Sequence, residues 1–140
     1  MRYWDASALV PLFLAERESR RVREWLSEDD GIVTWVWTRA EVASAVERRT
    51  REGVFSRSER RLVLERFNAH AARWDEVTDV LAVRSRAELL PARHSLRAAD
   101  AGQLGAALLI QDQFGGALPF VCLDERLAAA AELEGLRVIP

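Results

Sequence analysis

Lysine is absent from this chain: all 20 basic residues are arginine. No Walker A phosphate loop can be built without its lysine, and no Schiff-base or lysine-nucleophile chemistry is open. Cysteine occurs once, at Cys122, so neither an internal disulfide nor a multi-cysteine metal site can form. Histidine occurs twice, at His70 and His94. Neither has a G-x-S-x-G partner, which removes the common serine-hydrolase pattern. No glycine follows the first apolar segment in DASALV, so the dinucleotide-binding fingerprint is missing. No apolar run approaches the roughly 20 residues of a membrane helix. Asp5 interrupts any secretory leader pattern at the start. These features lead to the expectation of a reducing, cytoplasmic setting. Net charge is −2, so any contact with nucleic acid would have to use a local patch.

What is present is an alternation of elements. A length of 140 residues suits one domain, 1–140. A strand is expected at 2–4, then a helix from Ser7 to about Glu16, with Pro11 in its first turn, and a second from about Ser19 with Val22, Trp25 and Leu26 on one face. IVTWV (32–36) reads as a buried strand. Thr38 opens a helix that Gly53 ends. A long helix runs from Ser56 or Ser58 to about Arg73, with Leu62, Leu64, Phe67 and Ala71 inward. WDEV (74–77) fits a short strand, and 79–90 a helix stopping before Pro91. A strongly apolar helix follows at 97–114. LPFVCL (118–123) is a strand, Asp124 opens a helix closed by Gly135, and LRVIP (136–140) is an edge strand. Strands separated by helices imply parallel pairing with right-handed crossovers. The expected fold is a three-layer α/β/α sandwich around a mostly parallel sheet of about five strands. Sites in such folds form beyond the carboxyl ends of the strands.

Four acids occupy those positions. Asp5 follows the first strand and Asp124 the fourth, while Glu41 and Asp100 sit in the first turns of their helices. Each also has a local explanation. Thr38 and Glu41 form a capping-box pattern, Asp124 suits an N-cap, Asp100 suits the positive end of a helix, and Asp5 suits an Asx-turn. As a group they would crowd. Two such charges ~5 Å apart repel by roughly 3 kcal/mol at an effective dielectric near 20, so a cluster calls for a cation. Oxygen donors alone favour a hard one, Mg²⁺ or Mn²⁺.

WDASALV, TRAEVASAV, LRAADAGQLGAAL and FVCLDERLAAAAELEGLRVI together resemble the four motifs of PIN-domain ribonucleases, in particular the VapC-type toxins of type II toxin–antitoxin pairs. The resemblance spans essentially the whole chain. It implies a Mg²⁺- or Mn²⁺-dependent endoribonuclease that cuts single-stranded RNA, with Asp5, Glu41, Asp100 and Asp124 as the acidic tetrad. Asp5 and Asp100 would be the principal metal ligands, and Ser7 the hydroxyl that supports the first acid; Ser7 equally suits an N-cap. It also implies a homodimer and a cognate antitoxin. Three positions depart from the family pattern: Pro11 after SALV, Cys122 where Thr or Ser is common, and Gln103 where His is common. The arginines near Asp100, Arg93 and Arg97, are the favoured RNA contacts. Val54, Phe55, Val63, Leu64 and Trp37 offer interface material. Two other readings share the architecture: a non-catalytic PIN-like interaction module, and a metal-dependent phosphatase. A haloacid-dehalogenase-like phosphatase would carry a second Asp where Ser7 stands.

Overall fold

The computed structural model describes residues 1–139. Five strands form one sheet: β1 (Arg2–Trp4), β2 (Ile32–Trp35), β3 (Asp75–Val77), β4 (Pro119–Val121) and β5 (Arg137–Ile139). Seven helices connect and cover them: α1 (Ala6–Phe13), α2 (Ser19–Glu28), α3 (Thr38–Arg51), α4 (Arg57–Ala71), α5 (Val80–Ala87), α6 (Ala98–Phe114) and α7 (Glu125–Leu133). A single 3-10 turn spans Leu90–Ala92. Pro91 lies inside this turn, where φ near −65° is tolerated. Pro140 of the expected last strand lies outside the described residues.

The strand order is β3-β2-β1-β4-β5, and every pairing is parallel. The chain winds outward from β1 through β2 to β3, then returns to pair β4 on the other side of β1. The winding direction therefore reverses between β1 and β4, and open α/β sheets form their binding crevice at such a reversal. Trp4 pairs with Val121 in register. The residues just beyond them, Asp5 and Cys122, consequently face each other at the mouth of that crevice.

The alternation of side chains along each strand sorts the core into two layers. Tyr3, Val33, Val77 and Phe120 point to one face, where Val83, Leu104 and Leu127 from α5, α6 and α7 cover them. Trp4, Ile32 and Val121 point to the other, against Leu9, Val22, Val42 and Phe67 from α1 to α4. Tyr3 stacks on Phe120 with ring centroids 5.5 Å apart. Phe13, Phe67 and Trp74 form an aromatic cluster, with Phe13 and Phe67 edge to face at 5.4 Å. Burying rings in this way stabilises both layers beyond the area removed from water.

Several local expectations shift. Helix α1 begins at Ala6 because Asp5, not Ser7, is its N-cap. Pro11 then falls beyond the first turn, and the helix ends at Phe13, two residues after it. Leu62 of α4 is 54% exposed, so the inward face of that helix is carried by Phe67 and Ala71. Phe55, Val63 and Leu64 pack against Leu14, Ala45 and Val46, whereas Val54 and Trp37 remain exposed. Gly115 ends α6 in the left-handed region at φ 63°, which only glycine enters freely.

Gly102 has a different reason to be glycine. A Cβ there would lie 2.3 Å from Trp35 Cζ3, because the indole packs flat on the α6 backbone. Gly102→Ala is therefore expected to lower unfolding free energy by ~1–3 kcal/mol in a denaturant titration. Gly116→Ala, with nothing within 4 Å of its Cβ, serves as the control and should move it by no more than ~0.5 kcal/mol.

Candidate active site

Asp5 is fixed from several sides. Its backbone N–H donates to Val121 O at 3.0 Å, extending the β1–β4 pairing by one step. Its Oδ2 accepts from the Ser7 backbone N–H at 2.9 Å and from the Ser7 hydroxyl. That hydroxyl in turn accepts from the Leu123 N–H at 2.9 Å, so Ser7 ties the end of β1 to the chain leaving β4. Cys122 Sγ lies 3.7 Å from Asp5 Oδ2 and 3.4 Å from Asp124 O. Asp5 is only 5% exposed. Burial pushes its carboxyl above the usual range, the Ser7 and Ala6 hydrogen bonds pull it back, and the charge of Asp100 raises it again. Burial, with the nearby Asp5 charge, also pushes the Cys122 thiol up, so it stays a neutral S–H.

Glu41 does not close a capping box. The N-cap of α3 is Trp37 and makes no side-chain bond. The Thr38 hydroxyl is turned into the core instead, 2.8 Å from Thr34 Oγ1 and 2.9 Å from Gln103 Nε2. Glu41 Oε2 accepts from that same Gln103 amide. The buried Thr34 and Gln103 offered Thr38 better partners than its own helix end. Glu41 is pushed up to about 7, first by burial, then by the charges of Asp5 and Asp100, against a lowering bond from Gln103.

Asp100 sits in the first turn of α6 and accepts from the Arg97 N–H at 3.2 Å. Asp124 caps α7, with Oδ1 accepting from the Arg126 and Leu127 N–H groups, each at 2.9 Å. Asp5, Glu41 and Asp100 sense one another electrostatically. Asp124 stands at the more exposed rim and shares a cavity of about 690 Å³ with Arg97, Asp100, Leu123 and Arg126. A larger cavity of about 860 Å³ continues from Ser7, Cys122 and Asp124 toward Arg21 and Arg48. The structure thus brings all four acids and Ser7 to the carboxyl edge of the sheet.

The arginines divide. Arg97 lines the acidic cavity, and among the described residues it makes no ion pair. Arg93 is held by Glu134, at 2.9 and 3.0 Å, with His94 on the same carboxylate. Glu134 follows the far end of α7 from Asp124, about 15 Å along the helix axis. Arg93 therefore does not join the acidic rim. Arg126, which the sequence reading passed over, does. Behind the rim lies a buried set, Tyr3, Thr34, Thr38 and Gln103, which reaches it where Gln103 meets Glu41. Their signal in the sequence was the presence of hydroxyl and amide groups inside otherwise apolar segments.

The PIN domain family profile matches residues 2–133. The chain belongs to the PIN domain family. No curated protein matches the chain. PIN domains are generally nucleases and typically bind divalent metals. The donor chemistry of this PIN domain fits such an ion. The site offers carboxylate oxygens, and among the described residues none of the four acids has an ion-paired arginine. Among the described residues, no three His, Cys, Asp or Glu side chains are close enough to hold one ion as they stand. As the side chains stand, an ion held here would take one or two carboxylates and complete its shell with water.

The acid cluster has a consequence for metal-free protein. Unfolded Glu41 ionises near 4.5, whereas the folded group holds its proton to about 7. The folded state binds more protons between these values, so this contribution to stability falls as pH rises through that window. The raised Asp5 carboxyl acts in the same sense. Thermal melts in chelator should show a decline in Tm from pH 4.5 to 7 that is visibly shallower in Glu41→Gln. Equal slopes for the two proteins would contradict the assigned environment of Glu41.

Proposed function

We propose that this PIN domain is a Mg²⁺- or Mn²⁺-dependent endoribonuclease that hydrolyses phosphodiester bonds in single-stranded RNA and acts as the toxin of a toxin–antitoxin pair. The observation that carries the reading is the meeting of Asp5, Glu41, Asp100 and Asp124, far apart in sequence, at the switch point of the sheet without basic partners. The toxin assignment rests on the likeness of the four motifs to VapC-type sequences, and that likeness also supports a homodimer and a cognate antitoxin as partners.

Asp5, Glu41 and Asp100 would hold the ion, with Asp124 joining from the rim through its unused Oδ2. When bound, the ion lowers the pKa of a water and neutralises charge on the attacked phosphate. Ser7 keeps Asp5 pointed at the crevice, and the thiol of Cys122 lines its wall without adding charge. Arg97, and with it Arg126, stands beside the carboxylates where a phosphate backbone would pass, and an arginine fork suits phosphate oxygens.

Asp5→Asn is the sharpest test, because asparagine caps a helix about as well as aspartate. The variant should keep its fold and lose at least ~100-fold of RNA cleavage in Mn²⁺. Wild-type protein should also gain thermal stability on Mn²⁺ addition, by mass action on the folded state, and Asp5→Asn should gain far less. Near-normal cleavage by the variant would refute the assignment. A folded wild type that neither cleaves RNA nor responds to Mn²⁺ would point to a non-catalytic interaction module. For RNA contact, Arg97→Ala should weaken binding and reduce its salt dependence by roughly one phosphate's worth in a binding titration.

A further inference from the structure

A chain of buried hydrogen bonds runs from the backbone of β1 to Glu41. Tyr3, Thr34 and Thr38 are fully buried, and Gln103 is 1% exposed. Thr34 Oγ1 lies 2.7 Å from Trp4 O and 2.8 Å from Thr38 Oγ1. Thr38 Oγ1 lies 2.9 Å from Gln103 Nε2, and Tyr3 OH lies 2.8 Å from Gln103 Oε1. The remaining N–H of Gln103 meets Glu41 Oε2.

The direction of every bond follows from one end. A backbone carbonyl can only accept, so Thr34 spends its single proton on Trp4 O. Thr34 must then accept from Thr38, which leaves Thr38 able only to accept from Gln103. That fixes the amide: Nε2 faces Thr38 and Glu41, and Oε1 faces the Tyr3 hydroxyl, which donates. A flipped amide would set lone pair against lone pair at the fully buried Thr38 and oxygen against oxygen at Glu41.

We propose that Gln103 is a positioning residue, a donor locked by the Trp4–Thr34–Thr38 relay and by Tyr3, which holds the Glu41 carboxylate in one orientation beside Asp5 and Asp100. The role rests on the nuclease reading of that site. Among the described residues the Gln103 side chain hydrogen-bonds no acid but Glu41, so its influence on the site passes through Glu41. Trp4 precedes Asp5, so the residue that starts the relay adjoins the acid at the centre of the site.

The test is a double-mutant cycle on Mn²⁺ affinity, measured by calorimetry on the full chain. Gln103→Met, matched in length but without a donor, should weaken Mn²⁺ binding about tenfold in the wild-type background and less than twofold in Glu41→Gln. RNA cleavage by Gln103→Met should fall through kcat, with KM within twofold. Thr34→Val, at a hydroxyl that bonds none of the four site acids, should reproduce a smaller loss, and Thr34→Ser should restore it; this pair stands in if Gln103→Met folds poorly. In metal-free protein, the Gln103 side-chain amide resonances should be protected from exchange and should move in Glu41→Gln. Equal weakening by Gln103→Met in both backgrounds would make Gln103 a packing residue and overturn the inference while leaving the nuclease intact. A wild type without Mn²⁺ binding or cleavage would overturn the nuclease reading and the positioning role together.

Discussion

The pairing of β4 against β1 is the constraint from which the site follows. It reverses the winding of the sheet, and it sets the residue after Trp4 against the residue after Val121. Asp5 is thereby pressed into a position it would avoid if free, nearly dry and close to other carboxylates. Ser7 compensates locally, with one hydroxyl serving Asp5 and the Leu123 backbone at once. The sheet thus determines the site geometry, and the helices bring the remaining acids to it. Glu41 and Asp100 arrive in first helical turns, where the axial dipole favours negative charge.

Such a cluster costs stability. Burial and like charge both oppose ionisation of Asp5 and Glu41. Unpaired acids of this kind persist where the surrounding packing is strong enough to hold them. Here that packing comes from Tyr3 on Phe120 below the sheet edge and from Trp4 on the opposite face, both fully buried. On the proposed reading, a divalent ion would relieve both penalties while using the oxygen atoms already gathered.

Much of this was legible in the sequence. Apolar strands closed by acids marked the sheet and its carboxyl edge, and Gly53 and Gly135 marked the ends of α3 and α7. What escaped depended on tertiary competition. The Thr38–Glu41 spacing is a sound capping signal, yet Gln103, more than 60 residues away, bonds both side chains, and Thr34 holds the Thr38 hydroxyl. Ser7 looked like an N-cap, but Asp5 was one step closer to the strand end and took that position. Arg93 and Arg97 are near neighbours in sequence, but only Arg97 stays at the rim, since Glu134 captures the other. Leu62 looked inward on helical periodicity, while the face of α4 that is buried carries Phe67 and Ala71. For Glu41 and Arg93 the local preference is overruled by a partner that sequence distance hides.

Asp5 also carries a structural duty, as the cap that starts α1. Asparagine performs that duty without the charge, and the aspartate and asparagine codons differ by a single nucleotide. On the proposed nuclease reading, loss of chemistry at this position would therefore be a short mutational step that leaves the scaffold standing. On that reading, a descendant that loses the charge at Asp5 would shed its reactivity while retaining whatever surfaces the fold presents.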